Sequence, residues 1–272
     1  MMNISLGQYF PAKSLIHSLD PRAKVVSGIL FMVAAFLCKN VFSFGLLLLF
    51  SLLLVACSRI PFRIILKGLR PILFIMLFTT VINVFFTTGE TLVVSWSFIQ
   101  IYLEGIYNAV FMALRIVVLI LGTSIFMTYT TTPIALTDAI ELLLAPLKKI
   151  RVPVHEFAMM MTITLRFIPT LVEETDKIIR AQKARGTDFE SGNLIQRARA
   201  MVPILIPLFV SAFRRADELA TSMECRSYRG GEGRTRLRVL KFRVRDALML
   251  FAVVLFGAAI VYCNLKAPGY TM

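Results

Sequence analysis

Histidine and cysteine are scarce, and acid is missing from every long hydrophobic run. The two histidines, His17 and His155, are far apart in the chain. That separation favours two ordinary polar positions over a metal pair. The four cysteines, Cys38, Cys57, Cys225 and Cys263, include no CxxC and no metal-ligand spacing, so neither a disulfide framework nor a zinc site is suggested. No GxxxxGK[ST] loop occurs. The run Gly230-Gly231-Glu232-Gly233-Arg234-Thr235 lacks the lysine and the strand–loop–helix setting and reads as a flexible turn, so no nucleotide hydrolysis and no catalytic residue are expected. The first fifteen residues lack the apolar stretch of a cleavable signal peptide, which leaves targeting to the first span. No cofactor is expected.

Apolar residues and positive charge are abundant. Of 272 residues, 57% are hydrophobic, against about 45–50% in a soluble domain; mean hydropathy is +0.76. The excess lies in runs, which points to membrane spans rather than a large core. Five segments have the required length: Lys24–Cys38 (a little short), Val41–Ser58, Pro71–Thr88, Ile106–Thr130 and Ala247–Cys263. The fold class expected is therefore all-α, a polytopic membrane protein of about five transmembrane helices. Domains are expected at 1–130 (spans one to four), 131–245 (a cytoplasmic coupling-helix domain inserted before the last span) and 246–272 (the last span and C-terminus).

Net charge is +14, from 30 Lys and Arg against 16 Asp and Glu. In a membrane protein this excess fits positive-inside loops, anionic lipid or an acidic protein partner. Nucleic acid is disfavoured, because no aromatic–basic reading surface accompanies the charge. Arg59, Arg63, Lys67 and Arg70 crowd one inter-span loop without an acid, and Gly89–Gly105 has no Lys or Arg. The positive-inside rule then predicts a cytoplasmic N-terminus and an external C-terminus in the cell membrane. Segment Thr131–Arg245 returns to the cytoplasm with twenty of the basic residues. Impermeant labelling of a cysteine placed at Ser95, but not of one placed at Ser191, is the expected signature. A carboxylate near mid-membrane, usual for an ion-coupled carrier, is absent from the five runs. Arg115 is the one charge inside a span; pairing within the bundle and snorkelling to the outer interface both fit.

The basic block reads as helical. Thr132-Pro133 opens a short amphipathic helix through Leu147. Val154–Lys183, interrupted by Pro169, and Leu194–Tyr228, with Pro203 and Pro207, follow at helical spacing. Both long helices carry apolar residues on more than one face. Met159, Met160 and Met161 suit either an adaptable partner surface or ordinary packing. The two helices end alike, in Ala184-Arg185-Gly186 and Cys225-Arg226-Ser227, each arginine nine residues after an Asp (Asp176 and Asp217). An arginine there complements the helix macrodipole; it can equally present a guanidinium fork to an acidic groove on a partner.

These residues resemble a known family. Ser14-Leu15-Ile16-His17-Ser18-Leu19-Asp20-Pro21-Arg22-Ala23-Lys24, Leu165-Arg166-Phe167-Ile168-Pro169, Ala181-Gln182-Lys183-Ala184-Arg185-Gly186 and Met223-Glu224-Cys225-Arg226-Ser227-Tyr228 are similar to motifs of the transmembrane T component of energy-coupling factor (ECF) transporters. The likeness runs along nearly the whole chain. The family's two Ala-Arg-Gly triplets are matched fully at the first place and only in Arg226 at the second. The resemblance implies a scaffold subunit of an ATP-driven vitamin or micronutrient importer. It would bind two ATPase subunits, A and A′, through Ala184, Arg185, Gly186, Cys225, Arg226 and Ser227. It would also hold a substrate-binding S component, and the other subunits would hydrolyse ATP and choose the cargo. The alternative is the path-forming permease subunit of an ordinary ABC importer, for which the Glu-Ala-Ala…Gly coupling-loop pattern is missing. A membrane enzyme is a third class, and no His, Asp and Glu cluster of catalytic spacing supports it.

Overall fold

The structure is a computed structural model. It describes residues 9–12, 14–89, 91–96, 99–187, 189, 193–231 and 239–266. Ser191, Arg234 and Arg236 lie outside the described residues, as do most of the turn at 230–235 and much of the N-terminal fifteen. The described residues form α1 (Pro21–Leu37), α2 (Val41–Ser58), α3 (Phe62–Leu69), α4 (Leu73–Phe86), β1 (Leu92–Trp96), β2 (Ile99–Tyr102), α5 (Leu103–Thr123), α6 (Pro133–Leu143), α7 (Val154–Ala184), α8 (Leu194–Cys225) and α9 (Val244–Lys266). The chain divides into two compact units, one within 140–239 and the other within 7–139 together with 240–272.

In the larger unit the core forms where apolar faces of α1, α2, α5 and α9 meet. Phe31 of α1 is fully buried and stacks on Phe50 of α2 (6.0 Å) and Phe256 of α9 (6.4 Å), and those two stack on each other at 4.1 Å. Such offset ring pairs add to plain area burial. Gly122 of α5 lets the Phe31 ring in, since a Cβ there would lie 2.0 Å from a ring carbon. A side chain at that position would overpack a closed core. The start of α1 is set by Asp20, whose carboxylate caps the Arg22 N–H at 2.9 Å, with Pro21 at the first helical position where no donor is needed. Asp246, also buried, receives the Asp20 N–H at 2.7 Å and the Arg243 N–H at 2.7 Å, tying the start of α9 to the start of α1. The buried Lys24 ammonium donates to the Thr130 carbonyl at 2.8 Å and to that of His17 at 3.3 Å. His17 itself bonds Ser14 and the Phe10 carbonyl through its two ring nitrogens. Neither Asp246 nor Lys24 is marked by hydropathy, because each sits at the edge of an apolar run.

By length and composition five helical stretches can cross a membrane: Val41–Ser58, Phe62–Phe86, Leu103–Tyr129, Ile195–Cys225 and Val244–Lys266. Four correspond to the second to fifth runs read from sequence. The remaining one is α8, read from sequence as part of the basic block; α1, at 17 residues, is shorter than the others. The third run begins earlier than expected. Pro71 has no N–H to give and sits in a 3₁₀ turn, Arg70–Ile72, that joins α3 to α4. The basic segment at 59–70 is thus largely helical: Ile65 is buried while Arg63 and Lys67 stay at the surface. No residue of α4 is buried.

Segment 89–105, read as a loop, holds an antiparallel hairpin. Val94 pairs with Ile101 and Trp96 with Ile99, with a bulge between Leu92 and Val94. The β-branched and aromatic residues there favour extended pairing once both flanking spans end together. Arg115 pairs within the bundle: its guanidinium donates to the Cys38 carbonyl at 2.8 Å and lies over the Phe44 ring at 5.1 Å.

Candidate functional site

In the smaller unit α7 and α8 are long helices that continue through their prolines. Each proline removes an N–H and orphans the carbonyl four residues earlier. Pro207 frees the carbonyl of Pro203, and the Gln182 side chain of α7 donates to it at 3.5 Å. A second cross-brace lies further along. Glu174 of α7 accepts from the Ser211 hydroxyl and from the Arg215 guanidinium (2.8 Å), both on α8. The Ser211 hydrogen bond, helped by the Arg215 charge, holds the Glu174 carboxyl below its usual value and outweighs partial burial.

The contact pairs 174 with 211 and 182 with 203 fix the direction. Stepping forward along α7 means stepping back along α8, so the helices are antiparallel where they touch. Their C-terminal ends therefore lie at opposite ends of the pair, about 40 Å apart along the axis for straight helices at 1.5 Å per residue.

Both ends are built alike. Ala184 and Cys225 are the last helical residues, and Arg185 and Arg226 are the caps. The next residue turns left-handed: Gly186 at φ 85° and Ser227 at φ 54°. Thr187 N–H then donates to the Gln182 carbonyl and Gly186 N–H to Lys183. At the second end Tyr228 N–H donates to Met223 and Ser227 N–H to Glu224. This pair of bonds is the Schellman closure, which satisfies the last carbonyls and stops the helix. The third triplet residue is thus fixed by backbone conformation, and glycine adopts it without strain. All six residues of the two triplets are exposed. Among the described residues, neither the Arg185 nor the Arg226 guanidinium has a hydrogen-bond or ion-pair partner.

The six site residues read from sequence are therefore grouped three and three, not gathered into one pocket. The Glu174–Ser211–Arg215 brace was not read from sequence. A signal exists: Glu174 and Arg215 each precede their helix's motif arginine by the same three helical turns. His155 bonds Glu141 at 2.9 Å.

The sequence model of the CbiQ family, described as cobalt transport protein, matches residues 12–237. A relative from Ruminiclostridium cellulolyticum, named energy-coupling factor transporter transmembrane protein EcfT, is 56% identical over 254 residues, covering 93% of this chain and 94% of its own. The proteins of the same name from Clostridium kluyveri and Bacillus subtilis are 52% and 47% identical, covering 95% and 96% of this chain and 96% and 98% of their own. With matches of this length and identity, the chain belongs to the CbiQ family and is a transmembrane component of an energy-coupling factor transporter.

Proposed function

We propose that this subunit couples two ATPase subunits to a substrate-binding S component, with α7 and α8 as the coupling helices of a cytoplasmic domain at 131–245. The observation that carries the reading is the pair of exposed, unpartnered guanidinium groups at two identically closed helix ends. A macrodipole role alone would also put an arginine at each helix end, but it gives no reason for both forks to stand exposed on the same left-handed closure. A planar fork held at a rigid tip suits bidentate capture by an acidic groove. Two tips then address two ATPases, A at one end and A′ at the other. When ATP draws the ATPases together, both tips move and the braced pair turns as one lever.

The face that would meet the S component is apolar. Phe209, Val210 and Phe213 of α8, with Met160 and Met161 of α7, are exposed. Apolar side chains of this size need a protein or lipid cover. On this reading α8 is a surface helix under a partner rather than a fifth span. The spans are then α1, α2, the α3–α4 stretch, α5 and α9, with the N-terminus cytoplasmic. ATP hydrolysis and cargo choice belong to the partner subunits.

The test is co-purification. Truncating one member of a buried, hydrogen-bonded charge pair costs about 2–5 kcal/mol. Arg185→Ala should then weaken its ATPase contact roughly thirty- to several-thousand-fold. Recovery of both ATPases at wild-type yield and salt resistance with Arg185→Ala and Arg226→Ala combined would sink the proposal.

A further inference from the structure

The larger unit carries a feature that ATPase coupling does not use. Between the ends of α2 and α9 lies a groove of about 360 Å³ lined by Ile16, Leu19, Phe50, Leu53, Leu248 and Met249, almost wholly apolar. It shares Leu15, Cys57 and Arg245 with a second cavity of about 820 Å³, whose lining mixes apolar and polar groups. That second cavity is bounded by Ser14, Ser18, Arg59 and Arg245, and no carboxylate lines either space among the described residues. Both guanidinium groups are exposed, and neither has an ion-pair partner among the described residues. The nearest acid in sequence, Asp246, does not neutralise them, because it is buried and takes the N–H groups of Asp20 and Arg243.

We infer that these joined cavities bind one phospholipid with an anionic headgroup. An apolar groove adjoining a chamber with two free guanidinium groups matches an amphiphile carrying a phosphate next to its acyl chains. Arg59 closes the C-terminus of α2 in a left-handed conformation (φ 53°), and Arg245 sits in the first turn of α9. Both are thus anchored at ends of membrane-crossing helices, at headgroup depth. Basic pockets between such helices select acidic headgroups. The occupant needs no further subunit to deliver it, since Leu53 and Leu248 are themselves exposed where lipid surrounds these helices. The bound headgroup would tie α2 to α9 beside the Asp20–Asp246 link. A zwitterionic lipid offers the same phosphate but sets a cation beside the two arginines, and a bare hydrocarbon chain offers no anion.

Native mass spectrometry of the full chain released from bilayer discs of equal phosphatidylglycerol and phosphatidylcholine tests this. One phosphatidylglycerol per chain should be retained, in preference to phosphatidylcholine by about tenfold. Cys57 lines both cavities and is exposed, so blocking it with N-ethylmaleimide should abolish retention, whereas blocking the exposed Cys225 should not. Arg59→Gln with Arg245→Gln should remove the preference while leaving the melting behaviour of the lipid-free chain in detergent unchanged, because both side chains are at the surface. Equal retention of the two lipids by the wild-type chain overturns the assignment. So does undiminished phosphatidylglycerol retention by the double Gln variant or by chain blocked at Cys57.

Discussion

At the residue scale the third residues of the two triplets differ in how well they suit one backbone conformation. Gly186 and Ser227 occupy the same left-handed position, which costs an L residue roughly 1–2 kcal/mol. Serine therefore holds the second tip under mild strain and glycine holds the first without it. Ser227→Gly should stabilise the chain by about 0.5–1 kcal/mol, the relief of strain less the extra freedom glycine has when unfolded. Gly186→Ala should destabilise it by about 1 kcal/mol, since the space around Gly186 is open and only the dihedral is penalised. Thermal unfolding of the two variants in one detergent checks both signs. A stabilising Gly186→Ala would mean that the tip does not close in the Schellman form. The departure of Cys225-Arg226-Ser227 from Ala-Arg-Gly thus changes the strain and leaves the geometry alone.

At the scale of elements, the brace between α7 and α8 is ionic and half-exposed, so it is weak but pH-dependent. A pair of this exposure contributes about 0.5–1 kcal/mol. Glu174 has its carboxyl held below the ordinary 4.5, so the charged form is the one stabilised by folding. The contribution is complete above pH 4.5 and is lost as pH falls through the lowered folded value. Glu174→Gln should therefore melt below the wild type at pH 7. The gap should close on acidification below 4.5. A gap that widens in acid would contradict the assignment of Ser211 and Arg215 as its partners. The helices themselves were readable, because apolar residues recur at helical spacing through Pro169, Pro203 and Pro207. The Gln182 side chain that reaches across to the carbonyl freed by Pro207 was not, since nothing at helical spacing marks which residue of the other helix lies opposite. The hairpin at 92–102 was missed because the segment was judged by its lack of charge, whereas Val94, Trp96, Ile99 and Ile101 carry its pairing. The links through Asp246 and Lys24 escaped because a lone charge at the edge of an apolar run looks like an ordinary boundary residue.

At the scale of the whole molecule, the proposed topology and the proposed coupling stand or fall separately. Topology is tested by native cysteine. Cys225 is exposed at the second tip. An impermeant maleimide added to intact cells should leave it unlabelled and should react once the membrane is opened. Labelling of Cys225 in sealed cells would place the tip outside and remove the ATPases as its partners. The coupling claim is tested most directly by ATP-driven vitamin uptake into vesicles reconstituted with the complete transporter. Two variants are compared there, Arg185→Ala with Arg226→Ala, and Arg59→Gln with Arg245→Gln. The first removes both exposed tip charges without touching a packed residue and should abolish uptake. Lysine at both tips should restore little of it, because a point charge does not reproduce the planar fork. The second pair of changes also removes two exposed arginines but leaves the tips intact, and ATP-driven uptake should persist. Normal uptake by the double Ala variant, with uptake lost in the Arg59 and Arg245 variant, would contradict the assignment of coupling to the helix tips.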